Sequence, residues 1–341
     1  MAKPGGLFST IKGQDRAVGF LQTAIAGKKL PSTLLFAGPS GVGRRLTALA
    51  TLQALVCESR STRDDSQASA KVEACGACGP CIRVAKRESE SLIELAPQGA
   101  TTKIEQIRTI LKELSLQNSA RARAVIVDDA HLMTAQSANA LLKTLEEPPA
   151  NTWFFLMAPS VSSVLPTIRS RSQIVQFNTL TKEIIDEILL SENMSGEDKK
   201  SQSKAEPWQV EAARGRLDNL QALLSDEVIG LRNIAFSFWQ AQDANDSITK
   251  VSEAITSREN SLWVVRFWQE LLRDGFYQQL GLKPIIHQDQ IELIERVAGY
   301  PQSEIERLSV LAVELERDIR ANADYNLAID NFARNEVYVT E

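Results

Sequence analysis

Apolar residues change their rhythm once along this 341-residue chain. Up to about residue 178, short solid apolar runs alternate with stretches whose apolar positions recur every three or four residues. The runs predict strands at Thr33–Ala37, Leu92–Leu95, Ala124–Val127, Trp153–Ala158 and Ile174–Phe177. Between them, Ile104, Ile107, Leu111 and Leu114 keep a helical spacing, as do Ala138, Leu141, Leu142 and Leu145. The second of these helices runs into Glu146-Glu147-Pro148-Pro149, and a double proline stops it. Alternation of this kind predicts a parallel sheet wrapped by helices.

Beyond Phe177 the strand signal fades until the last few residues. A helix over Lys182–Leu190 leads into a polar run over 191–207 that reads as a loop or linker. Helical patterning resumes over Trp208–Leu224 and continues to Ala333, with Trp263, Phe267, Leu271 and Leu272 as a buried stripe. The length allows two or three domains. The positions of the motifs favour three: 1–178, a small helical lid over 179–226, and an all-helical domain over 227–341.

Composition narrows the class. No window offers 18 uncharged apolar residues, so no membrane span is expected. The stretch Met1–Arg16 lacks the apolar core of a secretory signal. The net charge of −5 conceals an asymmetry: residues 1–178 carry 21 Lys+Arg against 14 Asp+Glu, and the remainder 17 against 29. The halves are therefore +7 and −12, and charge so separated acts locally rather than as a sum. No basic stretch is interleaved with aromatics, which argues against a dedicated nucleic-acid binder.

All four cysteines fall within 25 residues, at Cys57, Cys75, Cys78 and Cys81. A disulfide framework would be spread through a small secreted domain, so a reducing, cytoplasmic setting is expected. Paired Cys-x-x-Cys turns with glycines at 76 and 79 aim sulfurs at one point, as a closed, structural Zn²⁺ site requires. Iron–sulfur ligation and thiol redox chemistry are the rival readings. A polar insertion, Glu58–Val72, separates the first cysteine from the rest.

After the first strand comes Gly38-Pro-Ser-Gly41-Val-Gly43-Arg44-Arg45, followed by a helix. Strand, glycine loop and helix are the setting of a phosphate-binding loop, in which Lys would stand at 44 and Ser or Thr at 45. Both positions hold arginine. Arg44 can still meet a phosphate, but Arg45 cannot ligate Mg²⁺. The strand ending Val125-Ile126-Val127 closes on Asp128 and Asp129, where nucleotide hydrolases hold Mg²⁺ and orient water. Asp129 is a short arm for that task, and His131 lacks an evident partner.

The run Val125–Pro149, with Ala138-Asn-Ala-Leu-Leu-Lys-Thr-Leu-Glu-Glu-Pro-Pro149, resembles the clamp-loader branch of the AAA+ ATPases. So does Leu165-Pro-Thr-Ile-Arg-Ser-Arg171-Ser172, which is similar to that branch's Ser-Arg-Cys motif. The similarity starts at Phe8-x-x-Ile11-x-Gly13-Gln14 and thins after residue 178. It implies an α/β P-loop (AAA+-like) domain with a parallel sheet and a zinc module, then a helical lid and an all-α collar. The positions at which active relatives carry sensor residues fall near Ala158-Pro159 and at Asp218. With the degenerate loop (Gly38, Gly41, Gly43, Arg44, Arg45) and acids (Asp128, Asp129), this implies a subunit that does not bind or hydrolyse ATP. Arg171 would act as an arginine finger in trans, with Arg169 a weaker candidate. The resemblance further implies delta and gamma/tau clamp-loader subunits as partners. The sliding clamp and primer-template DNA would be reached through the complex, and Zn²⁺, held by Cys57, Cys75, Cys78 and Cys81, would be the only cofactor. The alternative is a divergent ATPase in which Arg44 stands in for lysine and Asp128 still binds Mg²⁺.

Overall fold

The computed structural model describes residues 6–59, 72–115, 121–194, 205–240 and 244–337. Most of the Glu58–Val72 insertion, residues 195–204 of the polar run and the last four residues lie outside the described residues. The chain divides near residue 192 into two compact units.

In the first unit the elements follow as α1 (Asp15–Ala26), β1 (Thr33–Ala37), α2 (Arg44–Val56), α3 (Gly79–Ala85), β2 (Leu92–Leu95), α4 (Ile104–Ser115) and β3 (Arg123–Val127). They continue with α5 (Ala135–Glu146), β4 (Thr152–Ala158), α6 (Pro166–Arg169), β5 (Gln173–Gln176) and α7 (Lys182–Met194). The five strands form one sheet in the order β2-β3-β4-β1-β5, and every pairing is parallel. The expected α/β class and parallel sheet are therefore present.

Solid apolar strands follow from burial on both faces. In β1, Leu34 and Phe36 enter the core beneath α1 and α2, while Leu35 between them enters the core beneath α4 and α5. Strands β3 and β4 divide alike: Ile126 and Phe155 join the first core, and Val125, Val127, Phe154 and Leu156 the second. Only Val175 of β5 is buried, because that strand is an outer edge with β1 as its one neighbour.

The second unit is helical throughout its described residues. It comprises α8 (Pro207–Ala213), α9 (Leu217–Leu223), α10 (Asp226–Gln240), α11 (Ala244–Ala254), α12 (Arg258–Leu280), α13 (Ile291–Ala298), α14 (Gln302–Arg320) and α15 (Tyr325–Val337). The helical patterning over Trp208–Leu224 is carried by two helices, separated where Arg214 and Gly215 both take positive φ. Helix α12 is the spine, packing on α10, α13 and α14. Phe267, Trp268, Leu271 and Leu272 are fully buried along it; Trp263, assigned to the stripe from spacing, is only half-buried. Gly275 permits the α12–α13 contact, since a Cβ there would lie 2.5 Å from Val297 Cγ1.

An ionic cluster without a sequence signature ties α8, α10 and α12 together. Glu270 of α12 is wholly buried and accepts from Arg266 Nε at 3.0 Å and Arg214 Nη2 at 3.3 Å. His287, also fully buried, meets Glu270 through Nε2 at 3.2 Å and Arg232 through Nδ1 at 3.2 Å. A guanidinium only donates, so Nδ1 accepts and the imidazole proton sits on Nε2, facing Glu270. Arg232 lies over the Trp208 ring at 3.9 Å and pairs with Asp289. Burial alone would raise the Glu270 pKa, but the His287 hydrogen bond and the charges of Arg266 and Arg214 hold it below the usual carboxylate value.

A group depressed in the folded state stabilises above its unfolded value, near 4.5, and loses that contribution as pH falls. Glu270→Gln is therefore expected to cost about 2 kcal/mol at neutral pH, because it removes the charged acceptor shared by the partly exposed Arg266, the exposed Arg214 and the buried His287. The deficit should shrink toward acid. Urea melts followed by tryptophan fluorescence at pH 7 and pH 4 check both statements, and equal deficits at the two pH values would refute them.

Candidate nucleotide cradle and metal centre

The loop after β1 runs through three glycines into α2. Gly38, Gly41 and Gly43 have φ of 155°, 70° and 97°. At Gly38 the requirement is also steric, since a Cβ would lie 2.3 Å from the Phe177 carbonyl oxygen. Helix α2 then starts at Arg44.

The two arginines take different partners. Arg44 is buried, and its Nη1 donates to the Ala158 carbonyl at the end of β4. Arg45 reaches across the carboxyl ends of the strands. Its Nη1 lies 3.0 Å from Asp128 Oδ2, while Nε and Nη2 donate to Glu94 Oε1 at 3.0 and 2.8 Å. Arg87 closes the chain on the other Glu94 oxygen at 2.7 Å. Burial raises the Asp128 pKa, with Arg45 partly offsetting it; in Glu94 the hydrogen bonds of Arg87 and Arg45 outweigh burial and lower it. A fixed cation therefore stands on the acid at which a hydrolase would hold Mg²⁺. Asp129 takes a left-handed conformation (φ 46°) and is exposed. His131 Nδ1 is 3.9 Å from Asp129 Oδ1, outside hydrogen-bonding distance, and has no hydrogen-bond partner among the described residues. Asp218 accepts from Arg216 at 2.8 Å.

Arg171 follows α6 at the far end of the motif. Its Nε–Nη2 edge sits on Glu146 Oε1, with Nε at 2.5 Å, and Nη1 donates to the Thr167 carbonyl at 3.0 Å. Ser172 donates to the Ile168 carbonyl at 2.8 Å, a structural use of the position flanking Arg171. Arg169 is exposed.

The four cysteines converge as their spacing predicts. Their sulfurs all lie within 4.8 Å of one another, and Cys75 and Cys81 are 3.9 Å apart. Ligands on a tetrahedral ion at bonds of about 2.3 Å stand roughly 3.8 Å apart, so the set is dimensioned for one metal ion. The Cys75 sulfur accepts from the backbone N–H groups of Ala77 (3.5 Å) and Cys78 (3.3 Å), which lower its pKa to about 6. Burial pushes the Cys81 thiol up. The donors are all sulfur and two are buried, which suits a closed structural site.

Residues 13–181 match the family described as "DNA polymerase III, delta subunit". Over 276 residues the chain is 24% identical to the DNA polymerase III subunit delta' of Bacillus subtilis, covering 80% of this chain and 75% of that protein. The chain belongs to the DNA polymerase III clamp-loader subunit family. It is also 30% identical over 177 residues to the gamma/tau subunit of Mycobacterium tuberculosis, covering 51% of this chain but only 29% of that longer protein. A DNA polymerase III gamma-subunit-related protein of Thermotoga maritima shares the fold, with a TM-score of 0.54 at 18% identity, covering 93% and 97% of the two chains.

Within this clamp-loader family member, sequence reasoning missed Glu94, Arg87 and Glu146. Glu94 had a signal: it is the one acid inside the apolar run Leu92–Leu95, and an acid on a sheet strand needs a cation. Glu146 had none, because its partner lies 25 residues away. No described helix is long and apolar enough to cross a membrane.

Proposed function

We propose that this chain serves in a DNA polymerase III clamp loader as a delta'-type scaffold that neither binds Mg²⁺–ATP productively nor hydrolyses it. The observation that carries the reading is the Arg45–Asp128 ion pair, which sets a guanidinium where the metal would stand. Arg44, turned away to the Ala158 carbonyl, leaves no side chain for the β- and γ-phosphates. The divergent-ATPase alternative requires both arginines to be displaced.

Cys57, Cys75, Cys78 and Cys81 would hold a structural Zn²⁺ that fixes α3 against α2. Arg171 would supply a finger to ATP held by a neighbouring gamma/tau subunit. Residues 179–226 would act as the lid and 227–341 as the collar joining the chain to delta and gamma/tau. The sliding clamp and primer-template DNA would be met through the complex, in the cytoplasm.

Calorimetric titration of the isolated chain with Mg²⁺–ATP tests the core of the proposal. No saturable heat is expected up to about 1 mM, a limit near −4 kcal/mol of binding. Micromolar binding that Asp128→Ala abolishes would overturn it. The double change Arg44→Lys with Arg45→Thr is expected to gain binding, since it frees Asp128 and restores both side chains that the loop lacks.

A further inference from the structure

We infer that Glu146 is a latch that folds the Arg171 guanidinium back onto its own subunit, so that a neighbour's nucleotide must compete with this carboxylate for the arginine. The inference rests on the reading of Arg171 as a finger in trans and names how that finger is restrained.

The geometry is built, not incidental. Glu146 is the last residue of α5, and the preceding Leu145 is buried in the core that also buries Ile168 of α6. Both backbones are therefore fixed, and Pro148-Pro149 prevents α5 from extending past the carboxylate. From the α6 side, Arg171 sends its Nε–Nη2 edge to Glu146 Oε1, while Nη1 donates to the Thr167 carbonyl and, at 3.3 Å, to Ser170 Oγ. The fork that would grip a phosphate is thus engaged along one edge by a carboxylate and at its remaining nitrogen by α6.

Carboxylate and phosphate are rival partners for the same planar fork. Both side chains are partly exposed, at 34% for Arg171 and 47% for Glu146, so solvent screens the pair and its release is cheap. Such a contact holds the finger against wandering yet yields to the higher charge of a triphosphate. Glu147, next in the chain and exposed, offers the same charge without touching Arg171 and serves as the control.

The test uses the reconstituted clamp-loader complex, with ATP turnover measured against ATP concentration. Glu146→Gln keeps the shape and removes the charge. It is expected to lower the half-saturating ATP concentration by roughly two- to five-fold, as loss of a screened ion pair predicts. Glu147→Gln should not shift it, and Glu146→Gln with Arg171→Ala should behave as Arg171→Ala alone. If Arg171→Ala slows turnover while Glu146→Gln leaves the concentration dependence unchanged, the latch is wrong and the finger stands. If Glu146→Gln slows turnover as Arg171→Ala does, Glu146 positions the finger instead of restraining it, and the latch is again overturned. If Arg171→Ala is silent, the finger reading fails and takes the latch with it. Arginine Nε–H NMR of the isolated chain gives a second readout: the Arg171 resonance is expected to move to the position of an exposed arginine in Glu146→Gln. An unmoved resonance would show that the pair does not form in solution.

Discussion

Arg171→Ala is expected to cut ATP hydrolysis at the one neighbouring site it faces by roughly 10³-fold or more, the range known for fingers supplied across an interface. The reason is electrostatic. A transferring phosphoryl group develops charge on oxygens that a fixed, always-ionised fork can contact without reorganisation. Arg171 has such a fork and a support for it, because α6 is anchored by the buried Ile168 and Nη1 is tied to the Thr167 carbonyl. Arg171→Lys should recover little, since an ammonium is a point charge and cannot span two oxygens. Single-turnover hydrolysis by the reconstituted complex isolates the affected site from the others. An Arg171→Ala complex that hydrolyses at the parental rate, while Arg169→Ala is slow, would transfer the role to Arg169.

The sheet half of the molecule was legible because its strands carry their own signal. Five solid apolar runs predicted five strands, and each appears within a residue or so of the expected span. The reason is the two-sided burial seen in β1, where the successive residues Leu34 and Leu35 face different cores. The helical half was less legible. Trp263 has the spacing of a core residue but is only half-buried, whereas Trp268 is fully buried with its Nε1 donating to the Ala235 carbonyl at 2.8 Å. On a 23-residue helix packed on several sides, no single 3.6-residue stripe defines the interior.

The sites divide along the same line. Cysteine convergence could be read from spacing because two Cys-x-x-Cys turns are local geometry. The loss of lysine at 44 could be read as an absence. What took its place could not, because Arg45, Glu94, Arg87 and Asp128 come from α2, β2, the segment after α3 and the end of β3. Only the β2-β3 pairing, which sets Leu95 beside Val127, brings Glu94 and Asp128 to the same sheet end. The Glu270 cluster was hidden for the same reason: Arg214, Arg266 and His287 converge on one carboxylate from positions spread over more than 70 residues.

Removal of the metal, or Cys81→Ser, is expected to unfold the segment from Cys57 through α3 while the five-stranded sheet persists. The cysteines are the centre of the segment's own packing. Its own apolar cluster is Cys57, Ala74 and Cys81, with Cys75 and Cys78 packed against it, so the ligands are themselves the core. Helix α3 has only seven residues, below the length at which a helix is stable alone. The segment's ties to the rest of the unit include Val84 of α3, buried in the first core, and hydrogen bonds from Gln53 Nε2 to the Cys81 carbonyl at 3.0 Å, Arg121 Nη1 to the Cys57 carbonyl at 3.1 Å and Gln22 Nε2 to the Val72 carbonyl at 3.2 Å. Structural zinc contributes about 10–16 kcal/mol of apparent binding energy in small peptides, so on the proposed zinc reading much of the order here would depend on the ion. Part of that loss is local. If about 4 kcal/mol reaches the sheet unit, its Tm falls by roughly 8–16 °C. Acidification should release the metal in the same direction, because cysteine thiols must be deprotonated to bind. The checks are one zinc per chain by metal analysis, and chelator-induced loss of amide protection confined to the cysteine segment. A preparation that carries no metal, or a brown iron–sulfur chromophore instead, would refute the zinc assignment. Unchanged protection after chelation would refute its structural role.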